Sequence, residues 1–276
     1  GEMTTTNTLP GIQFRPPYDK AKVKLVTRGR GSWYTINGVK HQRVTTVLNK
    51  AIPKPGLIPW ARNEALTSVR KTLLADFDDT PNANWETFVD EVIEKARAAS
   101  GQVKDAAADW GTRAHACIAA MLRGQDWKIV PEWTPDLAPA LDGFLAWQAQ
   151  EGITVLDVER TVWDSRLAVA GTCDGIGRDR QGNLVVWDNK TGRAIYPEMA
   201  LQVSAYTEML EIVVGPAPLL VPILVPRAFI VRLPKIPPED PTEAFEAREV
   251  HDVQACWDLF CYAWRLGQGL ESQLWR

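Results

Sequence analysis

The apolar run Leu184-Val185-Val186-Trp187 stops abruptly at Asp188, Asn189 and Lys190. Side chains of an extended strand alternate sides, so Asp188 and Lys190 share a face and Asn189 points the other way. Alone, such a pair is a strand-end ion pair of small energetic worth. Other polar residues at element ends give it a second meaning. Asp174 lies between glycines in Ala170-Gly171-Thr172-Cys173-Asp174-Gly175-Ile176-Gly177, and only a short turn separates it from the strand of Asp188. His115 sits in the helical pattern that runs from Asp109 to Gly124. Gln202 and Tyr206, four apart, share one face of a following helix. Glu159, one strand upstream, can join the same cluster.

Two carboxylates drawn together in a low-dielectric cleft repel unless one is protonated or a cation bridges them. Carboxylates with water ligands suit Mg²⁺ or Mn²⁺, and an imidazole tilts the preference toward Mn²⁺. A lysine beside such a site contacts an attacking water or stabilises charge developing on a phosphate. Metal-assisted attack on a phosphodiester is the reaction that needs these parts.

The elements that must position these residues follow from the pattern. Residues 1–22 are polar and proline-containing and read as a flexible tail. A hairpin is expected from Lys24 to Val39, with Asn37-Gly38 as a strong turn dipeptide. A helix is expected from about Trp60, with further helical patterns over 85–99, 104–123 and 136–150. The second of these stops at Gly124 and the third at Gly152. The period then changes. Residues 153–163, 168–179 and 184–192 read as three consecutive strands of an antiparallel meander. Pro197 opens another helix, residues 226–233 read as a strand, and 242–267 as a long closing helix. Residues 23–135 therefore form an N-terminal hairpin and helical part that carries the histidine, and 136–276 the core, the two making one compact unit. The expected class is α/β (α+β).

The 276 residues supply ample length for a core, and 45% hydrophobic with 24% charged residues excludes wholesale disorder. A net charge of −3 gives no global pull toward a polyanion, so any nucleic-acid site must be a local gathering of basic groups. Residues 212–230, the most apolar stretch, are broken by Pro216, Pro218, Pro222 and Pro226, and no membrane span is expected. The N-terminal residues lack a basic region followed by an apolar one, so no signal peptide is read there and the expected location is cytoplasmic, in a bacterial or phage-infected host. Cys117, Cys173, Cys256 and Cys261 are scattered without metal-site spacing and read as reduced thiols.

Taken in order, Gly111-Thr112-Arg113-Ala114-His115, Gly171-Thr172-Cys173-Asp174, Asp188-Asn189-Lys190-Thr191-Gly192 and the Gln202/Tyr206 pair resemble the motifs of the PD-(D/E)XK nuclease superfamily. The nearer likeness is to its RecB-type exonuclease branch, which includes phage recombination exonucleases, a mitochondrial genome maintenance exonuclease and CRISPR-associated nucleases. The motifs span residues 111–206. Residues 32–48 and 55–65 also resemble the opening of phage members. The resemblance implies a restriction-endonuclease-like core, a mixed central sheet flanked by helices. It implies a Mg²⁺- or Mn²⁺-dependent deoxyribonuclease using one or two ions and acting at DNA ends or in single strands during recombination or repair. His115, Asp174, Asp188 and the main-chain carbonyl of Asn189 would be metal ligands, with Glu159 a further one. Lys190 would be the catalytic lysine, and Gln202 and Tyr206 would position the lysine or the DNA backbone. The iron–sulfur members need four cysteines in a layout this chain lacks, so no cluster is expected.

Thr112 and Arg113, read as opening a helical turn near His115, are candidates for a phosphate contact. Trp33, Tyr34 and Trp60, near glycine- and proline-rich turns, are candidates for stacking on unpaired bases. Lys22, Lys24, Arg28, Arg30, Lys40 and Arg43 are candidates for the backbone track. A recombination partner protein is compatible with this reading. The alternatives are a structure-specific or single-strand endonuclease of the same fold, and a DNA-binding protein without activity. A glycosidase built on Glu159 and Asp174 leaves Lys190 and His115 unexplained.

Overall fold

Asn37 and Gly38 both adopt positive φ, 50° and 83°, which is the backbone of a tight hairpin turn whose twist matches that of its flanking strands. This turn and the one at Gly29 fold the N-terminal section into three antiparallel strands. The computed structural model describes residues 12–14, 21–29, 31–54, 57–76, 85–210, 212–214, 226–237, 239 and 244–271. In chain order the first elements are β1 (Ile12–Phe14), β2 (Val23–Arg28), β3 (Gly31–Ile36), β4 (Val39–Arg43), α1 (Val44–Ala51), α2 (Leu57–Asp76) and α3 (Trp85–Leu122). There follow α4 (Ala138–Glu151), β5 (Thr154–Asp164), β6 (Val169–Arg178), β7 (Leu184–Lys190), α5 (Pro197–Met209) and β8 (Ile212–Val214). The last are β9 (Arg227–Arg232), β10 (Glu246–Glu249) and α6 (Val253–Glu271).

The chain divides into two units by contact: Gly1–Ile52 with Ala114–Arg276, and Pro53–Arg113. The second is helical, made of α2 and the greater part of α3. The first holds an eight-stranded mixed sheet in the order β10-β9-β7-β6-β4-β3-β2, with β5 paired to β6 off this path. The pairs β4–β6 and β7–β9 are parallel and the others antiparallel, which makes the fold α+β as expected. The meander β5-β6-β7 is the expected one.

Val186 and Trp187 are neighbours and so face opposite sides of the sheet. On the side of Val186 the core is built with Ile230 from β9, Val44 and Val47 of α1, Val203 and Tyr206 of α5, and Phe260 of α6. On the other side Trp187 packs against Phe144 and Trp147 of α4, at ring centroid distances of 6.2 and 5.5 Å, and Trp147 meets Phe229 at 5.8 Å. The Trp187 indole lies flat on β6 because residue 175 is glycine. A Cβ there would stand 1.9 Å from Cζ2 of the indole.

The β6–β7 hairpin is closed by a buried carboxylate. Asp179 accepts from the backbone N–H groups of Gln181 and Asn183, from the Asn183 side chain, and from Arg227 on β9. Arg227 also pairs with Glu249 on β10, so one guanidinium ties the turn to two more strands.

Three expectations are corrected. The patterns at 85–99 and 104–123 are parts of one 38-residue helix, which runs through Gly101 without a break. The start of the expected closing helix is instead β10, because β9 offers an open edge and cross-strand pairs Arg227–Glu249 and Arg232–Glu246 outweigh the helical preference of Glu-Ala-Arg-Glu. Helix α6 begins only after Asp252, whose side chain accepts the N–H of Ala255 as an N-cap. Within the section read as a tail, Ile12–Phe14 pairs antiparallel with Ile212–Val214; most of the remainder of residues 1–22 lies outside the described residues.

Candidate functional site

One edge of β6 serves two strands in turn. Val169 and Ala170 pair with β4, and Gly175 to Arg178 pair with β7. Among the described residues, 171–174 have no ladder partner on that edge. Strand β7 stays paired with β9 beyond Trp187, as far as Lys190 opposite Arg232, and so diverges from β6. Where the ladder would continue, the N–H of Asn189 donates to Oδ2 of Asp174 at 2.5 Å. The fork therefore sets a buried carboxylate against the start of Asp188-Asn189-Lys190.

The other oxygen of Asp174 accepts from Nδ1 of His115 at 3.2 Å, which comes from the last turns of α3. Glu159 stands across from Asp174 on β5, between the pairs Val158–Gly175 and Arg160–Cys173. Its φ of 56° is left-handed, a conformation that strains a residue bearing a Cβ by about 1 kcal/mol. Ligand atoms of His115, Glu159 and Asp174 all lie within 4.8 Å of one another.

Asp188 is buried and Lys190 is its ion-pair partner. Lys190 Nζ also donates to Oε1 of Gln202 at 3.1 Å. The Gln202 amide in turn donates to Oδ1 of Asp188 at 3.2 Å and to the Tyr206 hydroxyl at 2.9 Å. The expected strand-face and helix-face pairings are thus one hydrogen-bonded unit. Tyr206 fits because residue 171 is glycine: a Cβ there would lie 2.3 Å from Cε1 of the tyrosine ring. On the neighbouring side the Tyr34 hydroxyl bonds Oγ1 of Thr172 at 2.8 Å, and Thr161 bonds the same oxygen at 3.1 Å.

The charges are strongly coupled. Burial alone would lower the His115 imidazole, but the charge and hydrogen bond of Asp174, with the charge of Asp188, raise it to about 9. Burial would raise Asp174, yet His115, the Asn189 N–H and Lys190 hold it below the ordinary carboxylate range. Asp188 is raised, first by burial and then by the charge of Asp174, against the pull of Lys190. Part of the Glu159 side chain reaches solvent, but crowding by protein and then the charge of Asp174 push its carboxyl up to about 7. A surplus of negative charge is gathered at one place.

The structure brings His115, Glu159, Asp174, Asp188, Asn189, Lys190, Gln202 and Tyr206 together. It does not give Thr112 and Arg113 the helix N-terminus read for them. Both are interior to α3, where Thr112 bonds back to the Ala108 carbonyl and Arg113 pairs with Asp109. They and Trp60, in the first turn of α2, belong to the helical unit. Trp33 lies on β3 under Lys40, whose Nζ is 4.7 Å from the ring centroid. The contact between Tyr34 and Thr172 was not read from the sequence. The two residues are 138 positions apart, and no local pattern joins them. The role of Gly171 had a signal, since a glycine inside a strand often marks the close approach of another group.

The Asn189 side chain points away from Asp188 and Lys190, and its Oδ1 is buried with no hydrogen-bond partner among the described residues. An unpaired buried carbonyl costs free energy that an apolar isostere does not. Asn189→Leu is expected to keep activity within a few-fold of the parent and to leave the melting temperature unchanged or higher, read by nuclease assay and thermal unfolding.

No family model matches the chain, and no curated protein matches it. A solved structure described as "Crystal structure of SSO0001" is similar at 13% identity and a TM-score of 0.26, over 72% of this chain and 84% of that one. A likeness at that level carries no argument about fold or function. Among the described residues, no helix is long and apolar enough to cross a membrane.

Proposed function

We propose that this chain is a metal-dependent deoxyribonuclease that hydrolyses phosphodiester bonds from DNA ends or in single strands. The observation that carries the reading is the meeting of His115, Glu159 and Asp174 beside the Lys190–Asp188–Gln202–Tyr206 unit at the fork between β6 and β7. The restriction-endonuclease-like arrangement expected from the motifs accords with this placement.

The donor set fits a hard divalent cation. It offers carboxylate oxygens and one imidazole. The Glu159 carboxyl is pushed up to about 7 by burial and then by the charge of Asp174. Against the pull of burial, Asp174 and Asp188 raise the imidazole to about 9. A cation would relieve that gathered negative charge. His115, Glu159 and Asp174, with Asp188 adjoining, would hold Mg²⁺ or Mn²⁺. When bound, the ion supplies charge neutralisation for the phosphate and acidifies a water. The remaining work belongs to the chain. Lys190 is held between Asp188 and Gln202, so its ammonium is fixed at the site rather than swinging on a flexible stem. From there it orients the attacking water and meets the charge that grows on the phosphate oxygens. Gln202 fixes that position because its two ends face different partners: the carbonyl accepts from Lys190, and the amide donates to Asp188 and Tyr206. The resemblance of the motifs implies in-line attack of water on phosphorus with cleavage of the P–O3′ bond, leaving a 5′-phosphate and a 3′-hydroxyl.

The test is digestion of single- and double-stranded DNA labelled at either end, in Mg²⁺ or Mn²⁺ and in chelator, with a closed circular single strand alongside. Cleavage of the linear strands that chelator abolishes, with the circle intact, is the expected result. A cut circle would replace exonuclease by endonuclease, and no cleavage in either metal would overturn the reading.

A further inference from the structure

From Lys20 to Asn63 the chain carries ten lysines and arginines and no aspartate or glutamate, inside a protein whose net charge is −3. The fold spreads part of this segment on one face of a β-ribbon. Lys24 pairs with Thr35, which pairs with Lys40, so these three form a row across β2, β3 and β4. Val26, Trp33 and Gln42 form the next row, and Arg28 lies beyond it on β2. All of these residues share one face by the alternation of strands. The opposite face carries Tyr34, Ile36 and His41, which are buried. Lys24, Arg28 and Lys40 are exposed, and among the described residues none of them is paired with a carboxylate.

The ribbon adjoins the candidate site. Gln42 and Arg43 of β4 pair with Val169 and Ala170 of β6, the strand that carries Asp174 farther along. The three strands give a width of about 10 Å, and Lys24 and Arg28 stand about 13 Å apart along β2. That is the scale of a few nucleotides.

We infer that this ribbon face is the docking surface for single-stranded DNA entering the site, an inference that rests on the nuclease reading. Unpaired cations with no acid among them complement a phosphate backbone. The partly exposed Trp33 indole between the two cationic groups, with Lys40 on its ring, is the element that distinguishes the occupant. A single strand presents base faces to such a ring, and a duplex does not.

The experiment is fluorescence anisotropy of a labelled single-stranded oligonucleotide in chelator, where no cleavage interferes, over a range of salt. The triple variant Lys24→Gln, Arg28→Gln, Lys40→Gln is expected to bind about tenfold more weakly. Its slope of log affinity against log salt should be shallower by about 2, the effect of three phosphate contacts to a single strand. Lys24→Arg with Lys40→Arg should bind as the parent does, and circular dichroism should be the same for all. Unchanged affinity and slope in the triple variant would overturn the surface. A loss seen for duplex, or for phosphatidylserine vesicles, but not for the single strand would overturn it too. The two readings fail separately. Binding that follows the three cations in a chain that cuts nothing in Mg²⁺ or Mn²⁺ keeps the surface and removes the nuclease. Metal-dependent cleavage with binding blind to the three cations does the reverse.

Discussion

Lys190→Ala is expected to slow DNA cleavage by about 10² to 10⁴-fold, the usual effect of removing a positioned proton-transfer or charge-stabilising group. The loss should fall on kcat rather than KM, because the side chain is held by Asp188 and Gln202 and acts on the reacting atoms. The variant should still fold. Removing the lysine leaves Asp188 without its cation, and breaking a buried pair can cost about 3 kcal/mol. Here the cost is softened, because the Asp188 carboxyl already lies above its ordinary range and takes up a proton, while Gln202 still donates to it. A cooperative thermal transition and a parental circular dichroism spectrum would show this. Asp188→Ala should be equally inactive. Full activity of either variant in magnesium or manganese would end the assignment.

The largest effect on stability is expected at a position away from the chemistry. Asp179→Ala removes the acceptor of four hydrogen bonds, one of them from the Arg227 guanidinium, and should lower stability by about 3 to 4 kcal/mol in urea unfolding. The pH dependence has a definite sign. Burial would raise the Asp179 carboxyl, but Asn183, Arg227 and the backbone N–H groups of the turn hold it below the usual range. Its contribution is therefore complete above the unfolded value of about 3.9 and is lost as pH falls through the lower folded value. The gap between parent and variant should be full at neutral pH and narrow below about pH 4, toward what neutral hydrogen bonding alone supplies. Asp179→Asn, which can still accept from the turn but cannot answer the charge of Arg227, should fall between the two. A gap that persists undiminished at acid pH would show that the carboxylate charge contributes nothing.

The sequence was most legible where physics acts locally. Alternation in Val185 to Lys190 placed Asp188 and Lys190 on one face, and helix spacing placed Gln202 beside Tyr206; the Lys190–Gln202 and Gln202–Tyr206 hydrogen bonds join these two groups. The stops at Gly124 and Gly152 and the start at Pro197 follow from backbone preferences of single residues, and they mark the ends and start found for α3, α4 and α5. What depends on distant partners was not legible. Residues 246–249 read as helix because nothing local announces the edge of β9. Thr112 and Arg113 read as a helix start because no break separates a helix interior from a first turn once Gly101 is tolerated. The close meeting of Glu159 with His115 and Asp174 depends on a left-handed residue in mid-strand, which its residue type does not foretell.

The divided edge of β6 also bears on the order in which the centre assembles during folding. Asp174 and Asn189, 15 residues apart, meet by closing one hairpin, a short loop with small entropic cost. His115 must return across 59 residues to reach the same carboxylate, and β9 joins β7 in parallel only after a long connection. Contact separation ranks these events. By this ranking the acids and the lysine come together on a nascent meander before the imidazole arrives, and the N-terminal ribbon, whose Tyr34 meets Thr172 across 138 residues, joins later still.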